Sequence, residues 1–200
     1  MMAGARTRVL IADDHAMVRS GLVMGLEGFD EIEVVGEAAN GVDAVRLSEQ
    51  LRPDVVLMDM RMPLLGGAEA ARAIIQAVPG TRVLILTSFS EPELVHKALQ
   101  AGAVGFILKD ANLDELADAV RAAARGESTI SAATLRAVME ASANAEGHLR
   151  GLDADERRVL ELLLKGLRGA EICERLHLSS GELDMRIAGI ISRLGDGIRR

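Results

Sequence analysis

The run Val55-Val56-Leu57-Met58 constrains this chain more than any other stretch. Four apolar residues without a polar break suit a strand buried on both faces, as in a parallel sheet covered by helices on either side. The run ends abruptly at Asp59, and a loop carrying Pro63, Gly66 and Gly67 follows. A carboxylate at the carboxyl end of a buried strand contributes nothing to core packing. In open α/β sheets, ligands bind outside those strand ends, so the question is whether other strands deliver chemistry to Asp59.

They do. Val9-Leu10-Ile11-Ala12 runs into the pair Asp13-Asp14, Val83-Leu84-Ile85-Leu86 into Thr87-Ser88, and the strand-like segment 104–108 into Lys109. A fifth short β-branched stretch covers 32–36. Between these runs the spacing turns helical. Val18, Leu22 and Leu26 repeat every four residues, and Ala44, Val45 and Leu51 follow a cap at Asn40-Gly41 and stop at Pro53. A third helix over 68–78 halts at Pro79-Gly80. A fourth starts at the capping box Ser90-Glu91-Pro92-Glu93 and runs to about Gly102. Leu113, Leu116, Ala117 and Val120 mark a fifth, fading at Arg125-Gly126. Five strands alternating with five helices predict a doubly wound parallel sheet with all carboxyl ends on one edge.

Two hundred residues suffice for two small domains, and 49% apolar with 26% charged residues describes a globular chain. No apolar run approaches a membrane span, and residues 1–8 lack the apolar core of a signal peptide. The single cysteine, Cys173, has no partner for an internal disulfide and reads as a small buried hydrophobe, so a cytoplasmic protein is expected. The net charge of −7 is uneven: residues 150–200 carry +1 and residues 1–149 carry −8. The acidic part is no nucleic-acid binder by charge.

Three carboxylates converging on one point repel one another unless a cation sits among them. Hard oxygens with an open face suit Mg²⁺. Asp59 can then attack a phosphoryl group as an oxygen nucleophile, while Lys109 neutralises one phosphoryl oxygen and Thr87 donates to another. Singly, each feature has a plainer account. An acidic pair caps a helix, a threonine sits in a turn, a lysine is a solvated charge, and Met62-Pro63 is turn chemistry. Four of them at the ends of four separate strands outweigh those accounts.

The stretches Ala12-Asp13-Asp14-His15, Leu57-Met58-Asp59-Met60-Arg61-Met62-Pro63, Leu86-Thr87-Ser88 and Ala101-Gly102-Ala103-Val104-Gly105-Phe106-Ile107-Leu108-Lys109 resemble the response regulators of two-component signalling. Within them, the chain is similar to the NarL/FixJ group with a LuxR-type output domain, from about Arg8 to Gly195. The resemblance implies a flavodoxin-like receiver over 6–125, a partly helical linker over 126–149 and a small all-α helix-turn-helix domain over 150–200. It implies that Asp59 accepts a phosphoryl group from the histidine of a sensor kinase. Asp14, Asp59 and the main-chain carbonyl of Arg61 would hold Mg²⁺, with Asp13 reaching it through water. Phe106 falls at the switch aromatic, which turns inward as Thr87 moves toward the phosphoryl group. That motion would act on the surface formed by the helix after Ser90, the strand before Lys109 and the helix from Leu113. The motif assigns no ligand role to His15.

The carboxyl-terminal part is helical throughout. Asp153 and Glu156 suit a capping box, Val159, Leu160, Leu163 and Leu164 form an apolar face, and a short helix covers 171–176. Leu178-Ser179 is a turn, after which Ser179 and Glu182 cap a third helix with Leu183, Ile187, Ile190 and Leu194 inward. The framework resembles the LuxR type, with departures where DNA would be met. Arg168-Gly169-Ala170 stands at the start of the second helix, and Glu182-Leu183-Asp184-Met185-Arg186 stands on the recognition helix. Glu182 and Asp184 would bring two carboxylates toward phosphates, and Gly189 costs roughly 1 kcal/mol against alanine in a helix. The fourth helix, through which such domains pair, is expected to be missing after Arg200. Arg186, Arg193, Arg199 and Arg200 are left to contact phosphates, and a solvated face accounts for them equally well.

Two functions are therefore expected in competition. One is a phosphorylation-switched transcription regulator that binds DNA and pairs as a homodimer. The other is a protein-interaction switch whose helix-turn-helix domain has lost its DNA surface, with weak or absent sequence-specific binding. An aspartate-based hydrolase would need a second acid two residues after Asp59, where Arg61 stands. No enzyme and no membrane partner is expected.

Overall fold

The computed structural model describes residues 6–87, 101–127, 151–167, 169–179, 182–183, 185–187 and 189–190. In chain order the first part comprises β1 (Thr7–Ala12), α1 (Ala16–Leu26), β2 (Ile32–Ala38), α2 (Gly41–Leu51), β3 (Val55–Asp59), α3 (Gly67–Ala77), β4 (Arg82–Thr87), β5 (Gly105–Leu108) and α4 (Leu113–Ala124). The helix expected from Ser90 and the linker expected over 126–149 lie largely outside the described residues.

All strands are parallel, in the order β2-β1-β3-β4-β5. The apolar runs split by alternation, as the pleat requires. Leu10, Val56, Met58, Val83, Ile85 and Phe106 pack on one face with Ala44 of α2 and Ala70, Ala71 and Ile74 of α3. Val9, Ile11, Val55, Leu57, Leu84, Leu86 and Ile107 pack on the other with Leu26 of α1 and Leu116, Ala117 and Val120 of α4. Helices thus cover both faces, and every side chain of 55–58 is fully buried.

Register fixes the functional edge. Ala12 stands opposite Met58, so the next residues, Asp13 and Asp59, emerge side by side. Asp59 pairs with Leu86 and Thr87 with Leu108, which brings Thr87 and Lys109 to the same end. Local chemistry sets the helix ends. Asn40 Oδ1 accepts the Asp43 backbone N–H at 2.8 Å at the start of α2, and Asn112 does the same for Glu115 at the start of α4.

The second part holds α5 (Ala154–Leu164) and α6 (Gly169–Leu176), with the described residues among 182–190 again helical. The expected capping box opens α5: Asp153 accepts the Glu156 N–H, and Glu156 accepts the Asp153 N–H. Gly166, at φ 85, closes α5 as its own N–H reaches the Leu163 carbonyl and that of Leu167 reaches Leu162. Leu152, Val159, Leu160, Leu162, Leu163, Ile172, Leu183, Ile187 and Ile190 are buried. Cys173 is half-buried against this core rather than fully inside it. No helix among the described residues is long and apolar enough to cross a membrane.

Candidate functional site

Asp13 and Asp59 are both buried, at the ends of adjacent strands. Lys109 bridges them: its Nζ donates to Asp13 Oδ2 at 2.6 Å and stands 3.0 Å from Asp59 Oδ1. The same Oδ1 accepts the Met60 backbone N–H at 2.8 Å. Burial holds the Asp59 carboxyl above its ordinary range, with the neighbouring Asp13 charge adding to it, while the hydrogen bond from Lys109 pulls the other way. For Lys109, burial works against the charged form, but the hydrogen bonds to Asp13 and Asp59 outweigh it and its pKa is raised. The ammonium is therefore firmly charged, and Asp59 is an oxygen centre waiting for more positive charge.

Asp14 completes the acidic group. Its Oδ1 lies 2.7 Å from His15 Nδ1, which is also 3.2 Å from Asp13 Oδ1. Ligand atoms of Asp13, Asp14, His15 and Asp59 all fall within 4.8 Å of one another. His15, to which the motif assigns no ligand role, stands beside the acids. Its backbone N–H donates to Asp13 Oδ1 at 2.8 Å, an Asx turn that folds the imidazole back over the acids. The only sequence trace of that turn is an aspartate three residues ahead of the first residue of α1.

The loop after Asp59 is set by close backbone approach. A Cβ on Gly67 would lie 2.2 Å from the Asp59 carbonyl oxygen and 2.8 Å from Met60 Cα. Only glycine lets α3 begin this near to β3, and the Gly67 N–H donates to the Met60 carbonyl at 3.0 Å. Arg61 stands on this loop with its side chain exposed. Thr87 is the last residue of β4, nearly fully buried, and its carbonyl accepts the Lys109 N–H at 2.9 Å. Phe106 is wholly buried one strand away, opposite Ile85. Without a hydroxyl, that ring leaves no polar atom to satisfy inside the core.

The carboxylates of Asp13, Asp14 and Asp59 fit Mg²⁺ by donor chemistry. Their oxygens are hard, close and already gathered around a cation, and ligands across an octahedral Mg²⁺ stand about 4.2 Å apart. An imidazole is the one borderline donor in the group.

The helix-turn-helix residues present a different charge pattern from the one their sequence suggests. Glu182 turns back onto Ser179, accepting its backbone N–H at 2.8 Å and its hydroxyl at 2.7 Å. These hydrogen bonds hold the exposed Glu182 carboxyl below its ordinary range, with Arg186 contributing. Arg186 Nη1 lies 2.9 Å from Asp155 Oδ2 on the first turn of α5, and Met185 beside it is exposed. Asp184, Arg193, Arg199 and Arg200 lie outside the described residues.

The response regulator receiver domain model matches residues 9–121. Over 191 residues the chain is 38% identical to the transcriptional regulatory protein LiaR of Bacillus subtilis, covering 94% of this chain and 90% of LiaR. Over 187 residues it is 36% identical to the response regulator protein VraR of Staphylococcus aureus, covering 94% and 90%. Among solved structures, the response regulator ChrA of a heme-sensing two-component system is 33% identical, covering 96% of this chain and 92% of ChrA with a TM-score of 0.60.

Proposed function

The chain belongs to the response regulators that carry a receiver domain, and from that premise we propose that Asp59 accepts the phosphoryl group that switches its helix-turn-helix output. The regulated output is transcription, in keeping with relatives named transcriptional regulatory proteins along nearly the whole chain. The protein-interaction reading has no such support and is not carried forward. The observation that carries the Asp59 assignment is the convergence from three separate strand ends of Lys109 on Asp13 and Asp59 within hydrogen-bonding reach, with Asp14 within 4.8 Å of both acids.

In the proposed reaction Asp59 attacks the phosphorus of a kinase phosphohistidine. An O–P bond forms as the N–P bond breaks, and the imidazole leaves with its electron pair. Oδ1 is engaged by the Met60 N–H and by Lys109, so Oδ2 is the attacking oxygen. Mg²⁺, held by Asp13, Asp14, Asp59 and the main-chain carbonyl of Arg61, would supply the positive charge that lets an anion approach an anion. Lys109 pivots from the carboxylates to a phosphoryl oxygen and the Thr87 hydroxyl donates to another. The drawing-in of Thr87 acts on its neighbour Phe106, whose packing differs between the two states.

The partners proposed are a sensor histidine kinase, duplex DNA and a second copy of the chain on phosphorylation, with the protein acting in the cytoplasm. Duplex binding by the 200-residue chain, with and without Mg²⁺ and an acyl phosphate, tests the switch. Binding that strengthens on phosphorylation supports it, and binding indifferent to phosphorylation contradicts it.

A further inference from the structure

Arg186 is the one basic residue among the described positions of the helix that follows the turn, where Glu182, Leu183, Met185, Ile187, Gly189 and Ile190 are its companions. Leu183, Ile187 and Ile190 are buried, so among the described residues Glu182, Met185 and Arg186 carry the outward-facing chemistry of this segment. Yet the guanidinium does not face solvent alone. Nη1 is committed to Asp155 Oδ2 at 2.9 Å, and Glu182 lies close enough for its charge to be felt. A phosphate accepts from an arginine through a pair of parallel N–H donors, and Nη1 of Arg186 faces a carboxylate instead.

The pair is not a core element. Asp155 is 70% exposed and Arg186 30% exposed at the side chain. An ion pair this open is screened and contributes little to folding. The three helical segments already have an apolar core, a capping box on α5 and a second box at Ser179 and Glu182. What the pair does decide is the charge that Arg186 presents. An anion approaching it meets a neutral couple rather than a cation.

We propose that Asp155 is an intramolecular stand-in for a DNA phosphate, occupying Arg186 and setting how strongly this domain holds the duplex backbone. The inference rests on the DNA-binding reading given above. While the pair holds, Arg186 makes no phosphate contact, so the domain grips the duplex backbone through one cation fewer. Asp155→Asn keeps the shape and a weak acceptor, removes the competing charge and frees the guanidinium.

The test uses the 200-residue chain and a fluorescein-labelled duplex of mixed sequence, titrated across a range of salt. Freeing one phosphate contact steepens the logarithmic salt slope by about 0.9, so the advantage of Asp155→Asn over the natural protein grows roughly 3.5-fold between 200 and 50 mM salt. Two further variants separate this from a bulk charge effect. Glu161→Gln removes one charge from the same helix and frees Arg158, its partner at 3.2 Å, instead of Arg186, so it should change binding less than twofold. Asp155→Asn in an Arg186→Ala background should likewise gain nothing, since the partner is gone. Unchanged helical circular dichroism confirms that each variant is folded. If the natural protein binds duplex and Asp155→Asn binds no more tightly, or Glu161→Gln matches it, the stand-in role is wrong while DNA binding stands. If no variant binds duplex even in low salt, the role and the DNA-binding reading fall together.

Discussion

Lys109 and Asp13, 96 residues apart in the chain, meet at 2.6 Å across the carboxyl edge of the sheet. Nothing local brings them together. The meeting follows from β1 and β5 lying in one parallel sheet with their ends level, and it places a single ammonium between two buried carboxylates. Removing that ammonium leaves Asp13 and Asp59 facing each other uncompensated. Lys109→Ala should therefore destabilise the chelator-treated protein by about 2–4 kcal/mol, the lower side of a broken buried pair because the site opens to solvent. Added Mg²⁺ should recover part of the loss. Urea unfolding with and without Mg²⁺ measures both, and a loss that Mg²⁺ leaves untouched would argue against a shared cation site.

Gly67→Ala should damage the site from the backbone side. Its Cβ would strike the Asp59 carbonyl oxygen, an atom that cannot swing away. Overpacking of this kind costs about 1–3 kcal/mol, and the displacement falls on the residue proposed as nucleophile. Reduced stability together with slower phosphorylation is expected. Normal phosphorylation kinetics in a destabilised Gly67→Ala protein would show that the loop tolerates the shift.

Mg²⁺ alone should stabilise the fold, because it binds a site that unfolding disperses. At a hundredfold over its dissociation constant the gain is about 2.7 kcal/mol. Asp14→Asn, which removes one ligand while sparing the buried Asp13–Lys109 pair, should shift the stabilisation to higher Mg²⁺ concentration. Thermal unfolding against Mg²⁺ reads this without any phosphodonor. A midpoint insensitive to Mg²⁺ in the natural protein would count against the site.

The Glu182 cap should be visible in its titration. Hydrogen bonds from the Ser179 N–H and hydroxyl favour its ionised form, so its folded pKa lies below the ordinary glutamate range. For a carboxyl depressed on folding, the stabilisation is present above the unfolded pKa and is lost as pH falls through the folded one. A carbon-detected NMR titration should show Glu182 depressed in the natural protein and closer to the ordinary value in Ser179→Ala. Equal values in the two proteins would mean the cap is not what holds the carboxylate.

Much of this was legible in the sequence because apolar runs that stop at polar residues encode both strands and their chemistry. Asp13, Asp59, Thr87 and Lys109 each terminate such a run, and the register confirms that they share an edge. The caps at Asn40, Asp153 and Ser179 were equally local. Strand order was not, since spacing does not tell which strands are neighbours. The position of His15 over the acids was not legible, because an Asx turn and not a periodic pattern aims it. Gly67 was read as punctuation, whereas its constraint is a backbone contact visible only in three dimensions. Glu182 had two readings, helix cap and a charge turned toward DNA; its hydrogen bonds to Ser179 support the first, while the carboxylate stays exposed and charged. Asp155 and Arg186 lie on different helices, and no sequence rule joins them.

The central claim is that this edge exists to receive a phosphoryl group on Asp59. Intact-protein mass spectrometry after incubation with Mg²⁺ and a small acyl phosphate tests it most directly. The natural protein should gain the mass of one phosphoryl group, about 80 Da, and lose that label when Mg²⁺ is chelated before the donor is added. Asp59→Asn should gain nothing under the same conditions. Undiminished labelling of Asp59→Asn, or a natural protein that stays unmodified, would contradict the account.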